Sequence, residues 1–218
     1  NVMHKVLDFI KKNKQFSFFL LLVILLALIT IFAPVIAPQD PYASDLKNAL
    51  QPPSSAHWFG TDKLGRDIFS RVIYASRSSL PATLILVVLI FAIGTLLGTL
   101  AGYFGGWIDA VIMRISDMMI SFPGMVLAIA VAGIMGASVK NAVIAVAVVS
   151  WPKYARLARS LVMKIRHEDY IYAAIVTGSK TSYILRKYML PNIIPTLIIT
   201  AATDIGGMML ELAGLSFL

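Results

Sequence analysis

The feature that most constrains this chain is a series of long stretches that contain no charged residue. The first runs from Phe16 to Ile36 and the second from Leu80 to Gly102. A helix needs about 20 apolar residues to cross the hydrocarbon core of a bilayer, so each stretch is long enough for one span. Charged residues make up only 14% of the chain, against about 25% in soluble domains. The sequence therefore predicts an all-α integral membrane protein, a polytopic bundle of transmembrane helices.

Three further apolar stretches bring the predicted number of spans to five. The dipeptide Pro123-Gly124 lies inside the third span and is expected to kink it. The predicted organisation has four parts. They are a basic N-terminus at 1–15, the first span within 16–37, a polar loop with an amphipathic helix at 38–79, and a core at 80–218. The spans of the core are expected at 80–102, 108–136, 141–161 and 192–218.

Basic residues indicate which side of the membrane each loop faces. The segments 1–15 and 164–191 are both rich in lysine and arginine, which concentrate in cytoplasmic loops. The parity of five spans also places these two segments on one side, so we predict a cytoplasmic N-terminus. An uncleaved first span is favoured over a signal peptide, whose apolar region has about 7–15 residues. The loop 38–79 is then external, although its five basic residues mildly violate the rule.

Three glycines recur at every fourth position of the second span, namely Gly94, Gly98 and Gly102. Small residues at this spacing allow two helices to approach closely in lipid. We therefore expect this face of the second span to pack directly against another helix.

The segment DYIYAAIVTGSKTSYILRKYMLP, between the fourth and fifth spans, combines charges with small residues at fixed places. Ala173, Ala174 and Gly178 are expected to form a small-residue surface that fits a partner's groove, and Gly178 can turn the chain or end the helix. Leu190-Pro191 is expected to begin the next helix. Two interpretations remain open: an interfacial connector helix, or a docking element that transmits movement of a soluble partner into the membrane.

This segment resembles the EAA loop of ABC-importer permeases, whose pattern is E-A-A, three residues, G, nine residues, a hydrophobic residue, one more residue, then L-P. The residues on those positions are Tyr172, Ala173, Ala174, Gly178, Tyr188, Leu190 and Pro191. Tyr172 departs from the pattern, because the family usually has Glu there. Residues 57–80, HWFGTDKLGRDIFSRVIYASRSSL, and residues 204–218, DIGGMMLELAGLSFL, resemble C-type subunits of the peptide/nickel branch. The second stretch resembles the nickel permeases more than the dipeptide permeases.

The resemblance implies a type I ABC-importer permease of the bacterial plasma membrane, with six spans in the full protein. It also implies a second related permease subunit, two cytoplasmic ATPase subunits that bind the EAA loops, and an extracellular solute-binding protein. The sequence has no G-x-x-x-x-G-K-[ST] motif, so ATP and Mg²⁺ are expected on the ATPase subunits and no cofactor is expected on this chain. The expected cargo is nickel or a nickel chelate, with di- or oligopeptides as the alternative.

Ionisable residues in the last span are candidates for the translocation pathway. A carboxylate at the bilayer centre costs about 2.5–3.5 kcal/mol on insertion scales and usually faces a cavity or a partner. Asp204, Met208 and Glu211 share one helix face, so they could form a weak stop for a passing cation. Alternatively, Asp204 bonds to neighbouring helices, and Glu211 pairs or snorkels near the outer surface.

The third and fourth predicted spans also contain charged residues. Arg114 and Asp117 are either part of the pathway or a structural pair, since they are three residues apart on one helix. Lys153, Arg156 and Arg159 are expected to snorkel to the cytoplasmic surface.

Composition excludes several other functions. The chain has no cysteine, hence no disulfide framework or zinc-thiolate site. Its net charge of +8 is expected for the loops of a membrane protein rather than for a nucleic-acid-binding protein. Without a nucleophile–base set or a metal-ligand cluster, we predict neither catalysis nor a metal site on this chain. The competing classes are a secondary transporter, which would show inverted repeats, and a non-transporting subunit of a membrane enzyme.

Overall fold

The computed structural model describes residues 12–216, and their regular secondary structure is helical. This confirms the predicted all-α class. The predicted N-terminal segment 1–15 lies mostly outside the described residues. The helices are α1 (Lys14–Ile36), α2 (Ile68–Phe104), α3 (Gly106–Ser121), α4 (Gly124–Met135), α5 (Val139–Ile165), α6 (Asp169–Val176) and α7 (Thr181–Leu215, with a π-helical segment at Leu185–Met189). A short 3₁₀ helix at Leu46–Asn48 lies in the loop between α1 and α2.

Length and composition support fewer spans than the five that the sequence predicted. Within residues 12–216, α1, α2 and α7 are long and apolar enough to cross a membrane, and α3 and α4 together make a fourth if they are one broken span. The helix α5 covers the predicted fourth span 141–161, but Lys153, Arg156 and Arg159 make its second half too polar to qualify. The bend between α3 and α4 is 94°, which confirms the kink expected at Pro123-Gly124.

The chain divides into two compact units inside α2, at Leu80 and Pro81. In the first unit, the predicted amphipathic helix is not a separate element, because α2 begins at Ile68 and runs without a break to Phe104. The preceding loop folds tightly on itself. The N–H of Asp45 donates to the carbonyl of Leu64 at 3.0 Å, and Gly65 has φ +73° with Asp45 backbone atoms where a Cβ would lie. The glycine of the LGRD motif is therefore required by a left-handed backbone and a close approach.

Asp62 organises the same loop. Its carboxylate accepts hydrogen bonds from the N–H groups of Leu64 (2.8 Å) and Arg66 (3.0 Å), pairs with the Arg66 guanidinium at 2.7 Å, and lies 3.6 Å from Nε of Arg71. Burial raises the pKa of Asp62, but the hydrogen bonds from Arg66 and Leu64 outweigh it and lower the pKa to about 2. Two of the five basic residues that violated the positive-inside rule are thus held beside one carboxylate.

Asp67 fixes the start of α2. Its carboxylate accepts hydrogen bonds from the N–H (2.8 Å) and the hydroxyl (2.7 Å) of Ser70, and it lies 3.1 Å from Nδ1 of His57. A side-chain acceptor at this position satisfies backbone N–H groups that have no partner within the helix. Asp67, the last residue of the sequence GTDKLGRD within residues 57–80, therefore caps the start of the long helix.

In the second unit, the glycine face of α2 packs against α5, as the spacing predicted. A Cβ at Gly94 would lie 2.8 Å from the carbonyl oxygen of Trp151, and one at Gly102 would lie 2.9 Å from that of Arg159. Gly98 faces the backbone of Ala155 and the side chain of Ala158. Small residues on both helices let the two backbones come close, and α5 is buried along much of its length.

Candidate functional site

The short helix α6 has a defined end on its C-terminal side. Gly178 has φ +77°, its N–H donates to the carbonyl of Ile175 at 3.0 Å, and the N–H of Ser179 donates to the carbonyl of Ala174 at 3.0 Å. These two bonds form a Schellman motif, which needs a left-handed residue and favours glycine. The prediction that Gly178 ends the helix is confirmed.

The two faces of α6 differ, and this corrects the predicted small-residue surface. Ile171 and Ala174 are buried against the hydrophobic core, so Ala174 does not belong to the exposed surface. Tyr172, Ala173 and Val176 are exposed, and Val176 is 85% exposed. The helix is therefore anchored by one side, and its other side is exposed and apolar.

Tyr172, which stands where the resembled family usually has Glu, has a partner in this structure. Its hydroxyl lies 2.9 Å from Nδ1 of His167. Both residues line a cavity of about 310 Å³, together with Tyr103 and Arg166. His167 was not predicted from the sequence, because its position has no place in the EAA pattern. A hydrogen bond thus links α6 to the turn that follows α5.

The chain passes from α6 into the last long helix through a π-helical segment. A regular α-helix, Leu190–Leu215, begins at Leu190-Pro191 as predicted, with Pro191 in its first turn, although helical structure already starts at Thr181. The α-helical geometry does resume at Leu190, directly after the π segment Leu185–Met189. Pro191 lacks an N–H and clashes with the preceding turn of a regular helix, and a π segment is one way for a helix to absorb such a break. The predicted boundary at Leu190-Pro191 is therefore the point where the π-helical segment gives way to a regular α-helix.

The hydrophobic EAA position, Tyr188, belongs to an aromatic cluster. Its ring lies 6.0 Å from that of Tyr170 on α6 and 5.9 Å from that of Tyr183, measured between centroids. The Lys187 ammonium donates a hydrogen bond to the Tyr183 hydroxyl and lies 4.9 Å from the centroid of its ring. These rings join α6 to the π segment.

Three basic residues of α5 pair with carboxylates on other helices instead of snorkelling. Lys153 lies 2.7 Å from Asp204 of α7. The guanidinium groups of Arg156 and Arg159 each lie 2.5 Å from an acid of α3. Those two acids are Asp117 and Asp109, respectively. The predicted pair of Arg114 and Asp117 is therefore wrong. In an apolar stretch a carboxylate takes the base that reaches it across the helix interface.

Asp204 joins α7 to α5. Its carboxylate accepts hydrogen bonds from the ammonium of Lys153 at 2.7 and 2.8 Å and from the hydroxyl of Tyr154 at 2.9 Å. Of the two alternatives left open for Asp204, the observed contacts are those of a residue that bonds neighbouring helices. Met208, one turn further along α7, is buried, and Glu211 is exposed.

Other candidate residues are not brought together. Arg114 is exposed on α3. Within residues 12–216, no group of three or more His, Cys, Asp or Glu side chains is placed to hold a metal ion.

Comparison with known proteins gives matches over most of the chain. Residues 94–218 match the family described as binding-protein-dependent transport system inner membrane component. Residues 3–53 match the N-terminal transmembrane domain of oligopeptide transport permease C. The chain is 43% identical over 209 residues to a dipeptide transport system permease protein of Alkalihalophilus pseudofirmus, which covers 96% of this chain and 69% of that protein.

Two relatives in Escherichia coli extend this comparison. A probable D,D-dipeptide transport system permease protein is 45% identical over 197 residues, 90% of this chain and 66% of its own length. A nickel transport system permease protein is 39% identical over 199 residues, 91% of this chain and 72% of its own length. The chain thus spans about two thirds of the length of the relatives it matches.

Proposed function

Because this chain belongs to the family of binding-protein-dependent transport system inner membrane components, we propose that it couples ATP hydrolysis on separate subunits to substrate uptake through helix α6. The chain is a permease subunit of an ABC importer of the peptide/nickel branch, a multi-pass protein of the inner membrane. Permeases of this family work with ATPase and substrate-binding partners. The proposed complex has a second related permease, two ATPase subunits that carry ATP and Mg²⁺, and one binding protein.

The observation that carries this proposal is the two-sided packing of α6. Ile171 is fully buried, whereas Val176 on the other side is 85% exposed. A push on the exposed side therefore moves the core, because the buried side cannot slide freely in a close-packed interior. The Schellman end at Gly178 and the π segment before Leu190 then pass this movement directly into α7.

Substitution at the exposed side tests the coupling role. Val176→Asp places a charge on the surface proposed to contact the ATPase, so ATP-driven uptake is expected to fall at least about tenfold, as for a lost interface anchor of 1.4 kcal/mol or more. The matched control is Lys164→Gln, which changes an exposed side chain at the end of α5 outside α6. Both variants are reconstituted with the other subunits and assayed with ATP, without ATP, and with a proton gradient alone.

The outcomes of that assay separate the classes. Uptake driven by the gradient alone would indicate a secondary transporter, and normal ATP-driven uptake by Val176→Asp would remove α6 from the coupling path. The proposal also places the N-terminus and α6 in the cytoplasm. Labelling of Lys180 by a membrane-impermeant reagent added outside intact cells would contradict that orientation.

A short peptide is the substrate class that we propose first. Two of the relatives described above are named for dipeptide transport, at 43% and 45% identity. Nickel or a nickel chelate is the second candidate, favoured by the likeness of residues 204–218 and by the relative named for nickel transport at 39% identity. Uptake of a radiolabelled dipeptide, of ⁶³Ni²⁺, and of its histidine chelate, each with its binding protein, decides between them.

Glu211 is the residue that we propose to face the translocation pathway. It is exposed in an otherwise apolar part of α7, and an intramembrane carboxylate is expected to face water or a partner. Asp204 and Met208 share the helix face of Glu211 and are less exposed, and they remain candidates for the pathway together with Arg114 and Asp117 on α3. Glu211→Gln is expected to change the transport rate while leaving assembly intact.

A further inference from the structure

An open, basic groove lies along the first turns of α7. Its volume is about 710 Å³. Three bases and three hydroxyls line it, and none of the lining residues is acidic. They are Ser179, Lys180, Ser182, Tyr183, Arg186 and Lys187. The hydroxyls supply hydrogen bonds and the bases supply charge, so the groove is suited to an anion with several oxygen atoms, such as a phosphate.

A second, mostly apolar cavity of about 250 Å³ adjoins this groove, because Ser182 and Arg186 line both. Its walls are leucine side chains from two helices. They are Leu96 and Leu100 of α2 and Leu185 and Leu190 of α7. The groove and the cavity therefore make one amphipathic site, which we call the α2–α7 slot.

Thr99 gives an independent sign that the slot takes a ligand. It lines the cavity and is only 4% exposed, yet its hydroxyl has no hydrogen-bond partner among the described residues. A polar group buried without a partner is unfavourable, so such groups in native proteins call for an explanation. A ligand that enters the slot with an oxygen atom behind its charged head would satisfy this hydroxyl.

We propose that the α2–α7 slot binds an anionic phospholipid. The phosphate lies on Lys180, Arg186 and Lys187, a glycerol ester oxygen reaches the hydroxyl of Thr99, and one acyl chain follows the leucine walls. A free phosphate would leave the leucine walls uncovered, and an acidic protein surface would not reach Thr99.

The position of the slot agrees with a lipid at the membrane surface. The groove is at the N-terminal end of α7, and Leu100 is four residues from the end of α2 at Phe104, about 6 Å along the helix. Both points lie near the ends of long apolar helices, where headgroups are found. Clusters of lysine and arginine next to a transmembrane helix are typical of sites for anionic lipids.

Occupancy of the slot has a consequence for coupling, because Leu185 and Arg186 belong to the π segment that joins α6 to α7. A bound lipid holds this segment against α2. We therefore expect anionic lipid to raise the ATP-driven transport rate by stiffening the connection through which movement passes.

The test measures binding of spin-labelled phosphatidylglycerol to the importer purified with all its subunits and placed in phosphatidylcholine vesicles. Each base near the surface contributes a factor of about five, so Arg186→Gln/Lys187→Gln is expected to weaken binding about 25-fold. Thr99→Val removes only the hydroxyl and is also expected to weaken binding. Leu96→Trp fills the apolar cavity and is expected to do the same without changing charge. Lys164→Gln, an exposed base outside the slot, is expected to bind as the unmodified importer does.

Three results would overturn the proposal. One is equal binding by all of these variants. Another is displacement of the labelled lipid by millimolar inorganic phosphate, which would make the groove a simple anion site. The third is release of the ATPase subunits by Arg186→Gln/Lys187→Gln with lipid binding unchanged, which would make the groove a protein-docking surface. Thr99→Val is nearly isosteric, so it keeps the test valid if the double variant does not fold.

Discussion

Replacing Gly98 with alanine is expected to push α2 away from α5. In the structure, a Cβ at this position would lie 2.8 Å from the Cβ of Ala158 and 2.9 Å from the carbonyl carbon of Ala155. Non-bonded carbon atoms pack at about 3.5–4.0 Å, so the two helices must separate by about 1 Å. Neither neighbour can move aside by rotating a side chain, because one is backbone and the other is a single methyl group.

The expected cost follows from that geometry. Overpacking of a well-packed interior costs about 1–3 kcal/mol, and a conflict with backbone atoms lies toward the upper end of this range. We therefore expect Gly98→Ala to lower the free energy of unfolding by about 2 kcal/mol, which changes the ratio of folded to unfolded protein about 30-fold. Intrinsic helix propensity acts in the opposite direction, because alanine is favoured over glycine by about 1 kcal/mol in a soluble helix.

Gly133→Ala is the control that isolates the propensity effect. Gly133 lies in α4, and nothing is within 4 Å of the Cβ that alanine would add there. Unfolding is followed by titration with sodium dodecyl sulfate, with Trp151 as the fluorescent reporter and the other two tryptophans replaced by phenylalanine. Trp151 is buried on α5, and its carbonyl oxygen faces Gly94. Equal midpoints for Gly98→Ala and Gly133→Ala would refute the close approach of α2 and α5.

Three further predictions concern the end of α6, the ion pair between α5 and α7, and the loop that precedes α2. Gly178→Val should lower ATP-driven uptake, since a left-handed residue other than glycine costs about 1–2 kcal/mol, and Gly178→Asn should keep most of it because asparagine tolerates that conformation. Lys153→Met should destabilise the protein by about 1 kcal/mol, because Lys153 is half-exposed and Asp204 keeps the hydroxyl of Tyr154 as a hydrogen-bond donor, and adding Asp204→Leu should restore much of the loss in the same detergent titration. Because the folded pKa of Asp62 is lowered from 3.8 to about 2, its contribution to the loop is present above about pH 4 and is lost as the pH falls toward 2. Limited proteolysis between pH 6 and 2 should show that loss, and Asp62→Asn should be cleaved readily even at pH 6.

The sequence predicted features that depend on local pattern. Long uncharged stretches identified α1 and α2, the four-residue spacing of Gly94, Gly98 and Gly102 identified a helix contact, and Gly178 identified the end of α6. Each of these depends on residues within one helix or at its end, where period and residue type determine the backbone directly. The bend at Pro123-Gly124 belongs to the same class, because proline disrupts a helix through its own ring and missing N–H.

Features that depend on distant partners could not be predicted in the same way. The pairs of Lys153 with Asp204 and of Arg159 with Asp109 join residues 51 and 50 positions apart, and no periodicity within one helix reveals such pairs. The local rule instead favoured Arg114 with Asp117, three residues apart. The burial of Ala174 was missed for a related reason: the EAA-like pattern shows which residues are small but not which of them faces the core.

The charge pairs also explain how α5 can pack in the core although its three bases make it too polar to be recognised as a span from its own hydropathy. An unpaired charge at the centre of a membrane helix costs about 2.5–3.5 kcal/mol on insertion scales, so three bases in one helix would oppose insertion strongly. In the structure, Lys153, Arg156 and Arg159 each lie within 2.7 Å of a carboxylate on α3 or α7. Insertion of α5 is therefore favourable only together with those helices, and hydropathy calculated for one helix at a time must underestimate it. The pairs tie α5 to α3 at Asp109 and Asp117 and to α7 at Asp204.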